Sequence, residues 1–65
     1  MIIINSTKYQ LESTIDLYNL LEDKGYDPKM VVVEVDKKLV KRDEYKSFMV
    51  KDGMKIEVFS FIGGG

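Results

Sequence analysis

Met54-Lys55-Ile56-Glu57-Val58-Phe59-Ser60-Phe61-Ile62-Gly63-Gly64-Gly65 closes the chain and changes character once along its length. Up to Ile62, polar and apolar residues alternate, the period of a strand with one buried and one outward face. Ile56 and Val58 are assigned inward, and Lys55, Glu57, Phe59 and Phe61 outward. Three glycines then end the chain, so they cannot be the bend of a hairpin. Each glycine loses more backbone entropy on ordering than any other residue. Residues 62–65 are therefore expected to form a flexible tail on a single domain spanning residues 1–65. That tail offers a terminal carboxylate with no Cβ beside it, thin enough to enter a narrow channel. The competing reading is a disordered end or an expression remnant.

The opposite end supplies a natural neighbour for this strand. Met1-Ile2-Ile3-Ile4 is rich in β-branched residues and reads as a strand from its first residue, with Ile2 and Ile4 inward and Ile3 on the other face. Asn5-Ser6-Thr7 has turn chemistry, and Lys8 to Glu12 alternates as an antiparallel return, Tyr9 and Leu11 facing the core. The period changes at Asp16: Leu17, Leu20, Leu21 and Lys24 fall at i, i+3, i+4 and i+7, the stripe of one short helix. Asp16 is the preferred N-cap and Ser13, with Asp16 three residues on, the competing one; Gly25 ends the helix and Pro28 blocks its continuation. Two turns of helix do not persist alone and must lie on a sheet.

Met30 to Val35 is the strongest strand signal, Val31, Val33 and Val35 facing the core and Val32 and Glu34 facing outward. Asp36-Lys37-Lys38 turns the chain and Leu39-Val40-Lys41 returns as a short partner. Arg42 to Ser47 is an irregular or single-turn connection, in which Arg42 is expected to bond a neighbouring carboxylate or carbonyl. Phe48, Met49 and Val50 lead back to the core, and Lys51-Asp52-Gly53 turns into the last strand. First and last strands are expected side by side and parallel, because a helical crossover lies between them. The fold class is therefore α+β: a mixed sheet of four to five strands wrapped around one helix, the β-grasp or ubiquitin-like arrangement.

Composition removes most chemistry. The 65 residues contain no cysteine and no histidine, so no disulfide, thiol nucleophile, Cys/His zinc site or His-based triad is available. No catalytic residue and no metal ligand set is assigned. Ten basic and eleven acidic residues, interspersed, give a net charge of −1 and no face for a polyanion, so no nucleic-acid partner is expected. Apolar runs are too short for a bilayer span or a secretion signal, which makes a cytoplasmic location the default and a membrane partner unexpected.

In this order the residues resemble sulfur carriers of the thiamine pathway, a family similar to the small subunit of molybdopterin synthase and, more distantly, to ubiquitin. The likeness covers the whole chain. It is carried by Asn5 at the end of the first strand, Asp16-Leu17 with Leu20-Leu21, Val33-Glu34-Val35-Asp36, Leu39-Val40-Lys41-Arg42, Tyr45, Asp52-Gly53, Ile56, Val58 and the closing Gly64-Gly65. Ser6, Asp36-Lys37, Lys41 and Met54 depart from the family's usual Gly, Asn-Gly, Pro and acidic residues.

The resemblance implies a protein co-substrate that is not itself an enzyme and is monomeric when free. Its Gly65 carboxylate would be adenylated by an E1-like partner holding ATP and magnesium, with no cofactor bound by this chain. A sulfur donor protein would convert it to a thiocarboxylate, and thiazole synthase or another acceptor would take the sulfur. Gly63 and Gly64 would be read by the activating site. Phe59, Phe61, Val32 and Ile3, with Glu34 beside them, are the expected partner-binding face. A second reading has Phe61 folded over the sheet edge and Phe59 half covered by a loop. Carriers for molybdopterin, ubiquitin-like modifiers and binding modules with an incidental glycine end are the alternative functions.

Overall fold

The computed structural model describes residues 1–60. Its first hairpin pairs β1 (Ile2–Ile4) with β2 (Thr7–Tyr9), Ile2 opposite Tyr9 and Ile4 opposite Thr7. Asn5 and Ser6 have φ of +49° and +74°, the left-handed pair that a two-residue primed turn demands. So tight a turn uses only two residues, which is why Thr7 opens the strand where the sequence reading placed it in the turn. The same geometry recurs between β4 (Val31–Val35) and β5 (Lys38–Val40), where Asp36 and Lys37 have φ of +51° and +69° and Lys38 is already strand.

Lysine at such a position bears a Cβ clash that glycine avoids. The left-handed penalty is about 1–2 kcal/mol and the extra entropy lost by glycine about 0.5–1 kcal/mol. Lys37→Gly is thus expected to stabilise the protein by about 0.5–1 kcal/mol. Urea denaturation reads this directly, and a lowered midpoint would contradict the strain.

The helix α1 (Leu17–Asp23) starts where the period changes, and the amides of its first three residues each find an acceptor. Leu17 N–H donates to the Phe48 carbonyl at 2.8 Å and Tyr18 N–H to the Tyr45 carbonyl at 3.0 Å. Asn19 N–H donates to Asp16 Oδ2 at 2.9 Å and the Asn19 carboxamide to Asp16 Oδ1 at 2.7 Å, so Asp16 is the N-cap and Ser13 is not. At the other end Gly25, φ +89°, donates to Glu22, and Tyr26 N–H to Leu21, the Schellman arrangement.

These bonds favour the charged form of Asp16: the Asn19 backbone amide first, then its side chain, hold the carboxyl below its ordinary value. A depressed folded pKa contributes stability above the ordinary carboxylate range and loses it as pH falls through that range toward the folded value. Asp16→Asn keeps the cap acceptor and removes the titration. Its melting temperature is expected to fall less steeply than wild type below about pH 4, measured by circular dichroism across pH.

The segment between β5 and the last strand answers the helix. Arg42–Glu44 is a single 3-10 turn, and both the Arg42 guanidinium and the Tyr45 hydroxyl donate to the Val31 carbonyl, each at 3.2 Å. Arg42 therefore plays the structural part expected of it. Tyr45 is 1% exposed, and burial pushes its phenol up, against the opposing charge of Arg42. Two short strands that no periodicity announced, β3 (Ile15–Asp16) and β6 (Met49–Val50), pair antiparallel beneath the helix start. That pairing turns Met49 outward, 43% exposed, and leaves only Val50 of the two in the core. The sequence pattern predicts both inward, but two adjacent strand residues face opposite sides.

The last strand, β7 (Lys55–Ser60), lies in the middle of a five-stranded sheet of order β2-β1-β7-β4-β5. It runs parallel to β1, Ile3 opposite Lys55 and Ile4 opposite Ile56, and antiparallel to β4 over five residue pairs from Val35–Ile56 to Val31–Ser60. Ile2, Ile4, Val31, Val33, Val35, Ile56 and Val58 on one face close on Leu17, Leu20 and Leu21 of the helix, all buried. The mixed sheet over one helix, and the parallel pairing of the chain's first and last strands, are as the sequence predicts. Among the described residues no helix is long and apolar enough to cross a membrane.

Candidate functional site

Because Ile56 and Val58 point into the core, Lys55, Glu57 and Phe59 must point out of the sheet's other face. Register then decides what stands beside each. Phe59, 51% exposed, is opposite Val32; Glu57 is opposite Glu34; and Glu34 is in turn opposite Leu39, 62% exposed. Ile3 is opposite Lys55 on one side and Lys8 on the other. The outer face is thus graded along β7: an apolar pair nearest residue 61, an acidic row flanked by Leu39, and a basic row around Ile3.

Of the expected partner-binding residues, Phe59, Val32 and Glu34 come together. Ile3 shares their face but sits four residues back along β7, about 13 Å from the Phe59 row. Leu39 belongs beside Glu34 and was not anticipated, since a leucine in a short alternating strand reads equally well as core. Phe61, Gly63, Gly64 and Gly65 lie outside the described residues, as does the expected tail at 62–65.

Two carboxylates directly opposite on one sheet face repel, and such pairs weaken a sheet. Among the described residues neither Glu34 nor Glu57 has a basic group within ion-pair distance. No group of three metal-ligating side chains occurs among the described residues either.

The root of β7 is held from the other side by Asn5. Its backbone N–H donates to the Ile56 carbonyl at 3.0 Å, the last rung of the parallel ladder. Its carboxamide then reaches one rung further: Val58 N–H donates to Asn5 Oδ1 at 2.8 Å, and Asn5 Nδ2 donates to the Val58 carbonyl at 3.1 Å and to the Tyr26 hydroxyl at 3.3 Å. Asparagine before a hairpin signals a turn, and nothing in its local sequence signals this second task.

A five-stranded mixed sheet wrapped on one helix, with the strand that leads to the glycines at its centre, defines a β-grasp domain of the ubiquitin-like class. The model of the ThiS family matches residues 2–65. The chain belongs to the ThiS family, sulfur carriers of thiamine biosynthesis that act as carrier proteins and not as enzymes.

The ThiS crystal structure of Geobacter metallireducens, a thiamine biosynthesis protein, superposes with a TM-score of 0.80 at 25% identity, covering 98% of this chain and 97% of that one. A thiazole synthase of Paramagnetospirillum magneticum is 33% identical over 64 residues, and one of Magnetococcus marinus 36% identical over 62. This chain spans only 20% and 19% of those two proteins, covering 98% and 95% of itself.

Proposed function

We propose that this chain is a sulfur carrier whose Gly65 carboxylate is the reacting group, serving thiazole formation in thiamine biosynthesis. The observation that carries the reading is the family match over residues 2–65, which runs through the glycine end. A carboxylate is a poor acyl donor, because its charge repels nucleophiles and oxide is a poor leaving group. An E1-like partner holding ATP and magnesium removes both obstacles: the carboxylate oxygen attacks the α-phosphorus, pyrophosphate leaves, and the Gly65 carbonyl becomes an acyl adenylate. Hydrosulfide then attacks that carbonyl and expels AMP. With hydrosulfide the product is a thiocarboxylate, one proton being released. A thiocarboxylate is anionic and nucleophilic near neutral pH and can pass its sulfur to an acceptor.

Thiazole synthase is the acceptor we assign. In the two relatives of that name, a segment like this chain forms about a fifth of one polypeptide, which supports a carrier and an acceptor that work together. This chain brings the reacting carboxylate and a docking face; the catalysts and the nucleotide belong to its partners.

The test is intact mass spectrometry after incubation with the activating enzyme of the thiamine pathway, ATP, magnesium and sulfide. Replacement of one oxygen by sulfur at the C-terminus is the expected result. Stable conjugates to lysine would make the chain a modifier instead, and an unchanged mass with intact activating enzyme would end the carrier reading.

Phe59 with Val32 is the docking anchor, and Glu34 with Glu57 gives the face its charge. Phe59→Ala is expected to raise the KM for the carrier in ATP–pyrophosphate exchange about tenfold, or about 1.4 kcal/mol, as for a central aromatic contact. Glu34→Lys is expected to slow association with a basic partner surface, an effect that shrinks as salt rises. Wild-type KM values in both variants would remove this face from the interface.

A further inference from the structure

β1 stops short of β7. Its last ladder contact is at Ile56, after which the chain turns away at Asn5 into the left-handed hairpin. On its other flank β7 continues in register with β4 through Val58, Phe59 and Ser60. Beyond Ile56, therefore, one edge of the strand has lost its neighbour just where the docking anchor stands and the chain leaves toward the glycines.

The Asn5 carboxamide replaces the missing strand at Val58. A backbone residue in a ladder offers one donor and one acceptor, and a carboxamide can match both and has a second N–H to spare; here its oxygen takes the Val58 N–H and its nitrogen serves the Val58 carbonyl. The Tyr26 hydroxyl, on the segment after the helix, is also within reach of Nδ2. Reversing the amide would set NH2 against N–H, so these partners fix its orientation.

We propose that Asn5 is a positioning residue for activation: it holds Val58, and through it Phe59 and Ser60, in line with the sheet. The docking anchor and the point from which residue 61 onward departs then keep one fixed relation. This inference rests on the carrier reading of Gly65. Carboxylate delivery into a partner's site depends on orientation, and small misplacements at a reacting group cost large factors in rate.

Two variants of the full chain test it. Asn5→Gly keeps the left-handed backbone and deletes the clamp; Asn5→Asp keeps the acceptor and loses the donor. In both, amide hydrogen exchange at Val58 to Ser60 is expected to quicken relative to Val33 and Ile56, by about tenfold at Val58 for the glycine variant. At saturating carrier, kcat for ATP–pyrophosphate exchange is expected to fall about tenfold while KM moves less than about threefold. Asn5→Gln, which retains both bonding groups, is expected to recover part of the loss.

A fold that is merely weakened would quicken exchange everywhere and spare kcat at saturation, and that result overturns the proposal. So does wild-type kcat in folded Asn5→Gly and Asn5→Asp. If the wild-type chain is not adenylated at all, the carrier reading fails. Exchange at Val58 to Ser60 then judges the clamp alone, local quickening sustaining it and unchanged protection overturning it.

Discussion

Gly64→Trp is expected to fold as wild type and to lose ATP–pyrophosphate exchange with the activating enzyme by at least about a hundredfold. Folding is spared because every buried core residue among those described lies between Ile2 and Val58, and the sheet and helix close on one another through them. On the proposed carrier mechanism activation is lost, because the Gly65 carboxylate would have to meet a nucleotide inside a partner, along a path where a glycine would let protein backbone come close and a Cβ would not. Gly64→Ala should therefore show an intermediate defect, with indole larger than methyl in its effect. Unaltered exchange in the tryptophan variant, with a wild-type melting curve, would mean that the glycines are not read by the activating enzyme.

The other large effect lies at the opposite extreme, in stability alone. Ile56 is fully buried on the central strand, opposite Ile4 on β1 and Val35 on β4, and its carbonyl accepts the Asn5 amide. Truncating a buried isoleucine to alanine typically costs about 2–5 kcal/mol, through lost transfer energy and the cavity left behind. A domain of this size without disulfide or metal has only about 3–5 kcal/mol in hand. Ile56→Ala is therefore expected to be largely unfolded at room temperature, seen as loss of the cooperative urea transition. Ile56→Val should cost about 0.5–1.5 kcal/mol and keep a clean transition at a lower midpoint. An alanine variant within about 1 kcal/mol of wild type would show that the site collapses around the gap.

These two substitutions separate the parts of the molecule. One half of the last strand carries the fold and the residues after it carry the proposed chemistry, so each can be damaged without the other. Asn5 sits at the join.

What could be read in advance followed from local rules. Alternation in Val31 to Val35 and in Lys55 to Ser60 assigned side chains to their faces, because a strand has a period of two and one face must be buried, while Met30, expected in the same strand, belongs to the 3-10 turn Pro28–Met30. The change of period at Asp16, with a carboxylate able to accept the third amide of the helix and a glycine at its end, marked both helix boundaries to within a residue. The carrier reading came from the family resemblance that ends on Gly64-Gly65, and the missing cysteine and histidine are consistent with it.

The small pairing of Ile15–Asp16 with Met49–Val50 escaped, because two residues carry no period; what makes them strands is a partner more than thirty positions away. Leu39 was ambiguous for a related reason: an apolar residue in a three-residue strand is core or surface according to the register of its hairpin, and a primed turn at Asp36-Lys37 sets that register. Asn5 shows the limit most clearly, since its partner Val58 lies 53 positions along the chain.

By itself, then, the amino-acid order determined the helix and its two ends, the strands Val31–Val35 and Lys55–Ser60 with their inward faces, and the sheet-over-helix class, as consequences of periodicity and residue chemistry within a few positions; the group proposed to react followed from the family resemblance. Only tertiary structure decided which outward residues stand together, Phe59 with Val32 and Glu34 with Glu57, and that Asn5 completes the sheet at Val58. Those contacts join residues remote in the chain, and they come into being when burial of the isoleucines, valines and leucines brings β1, β4 and β7 into register.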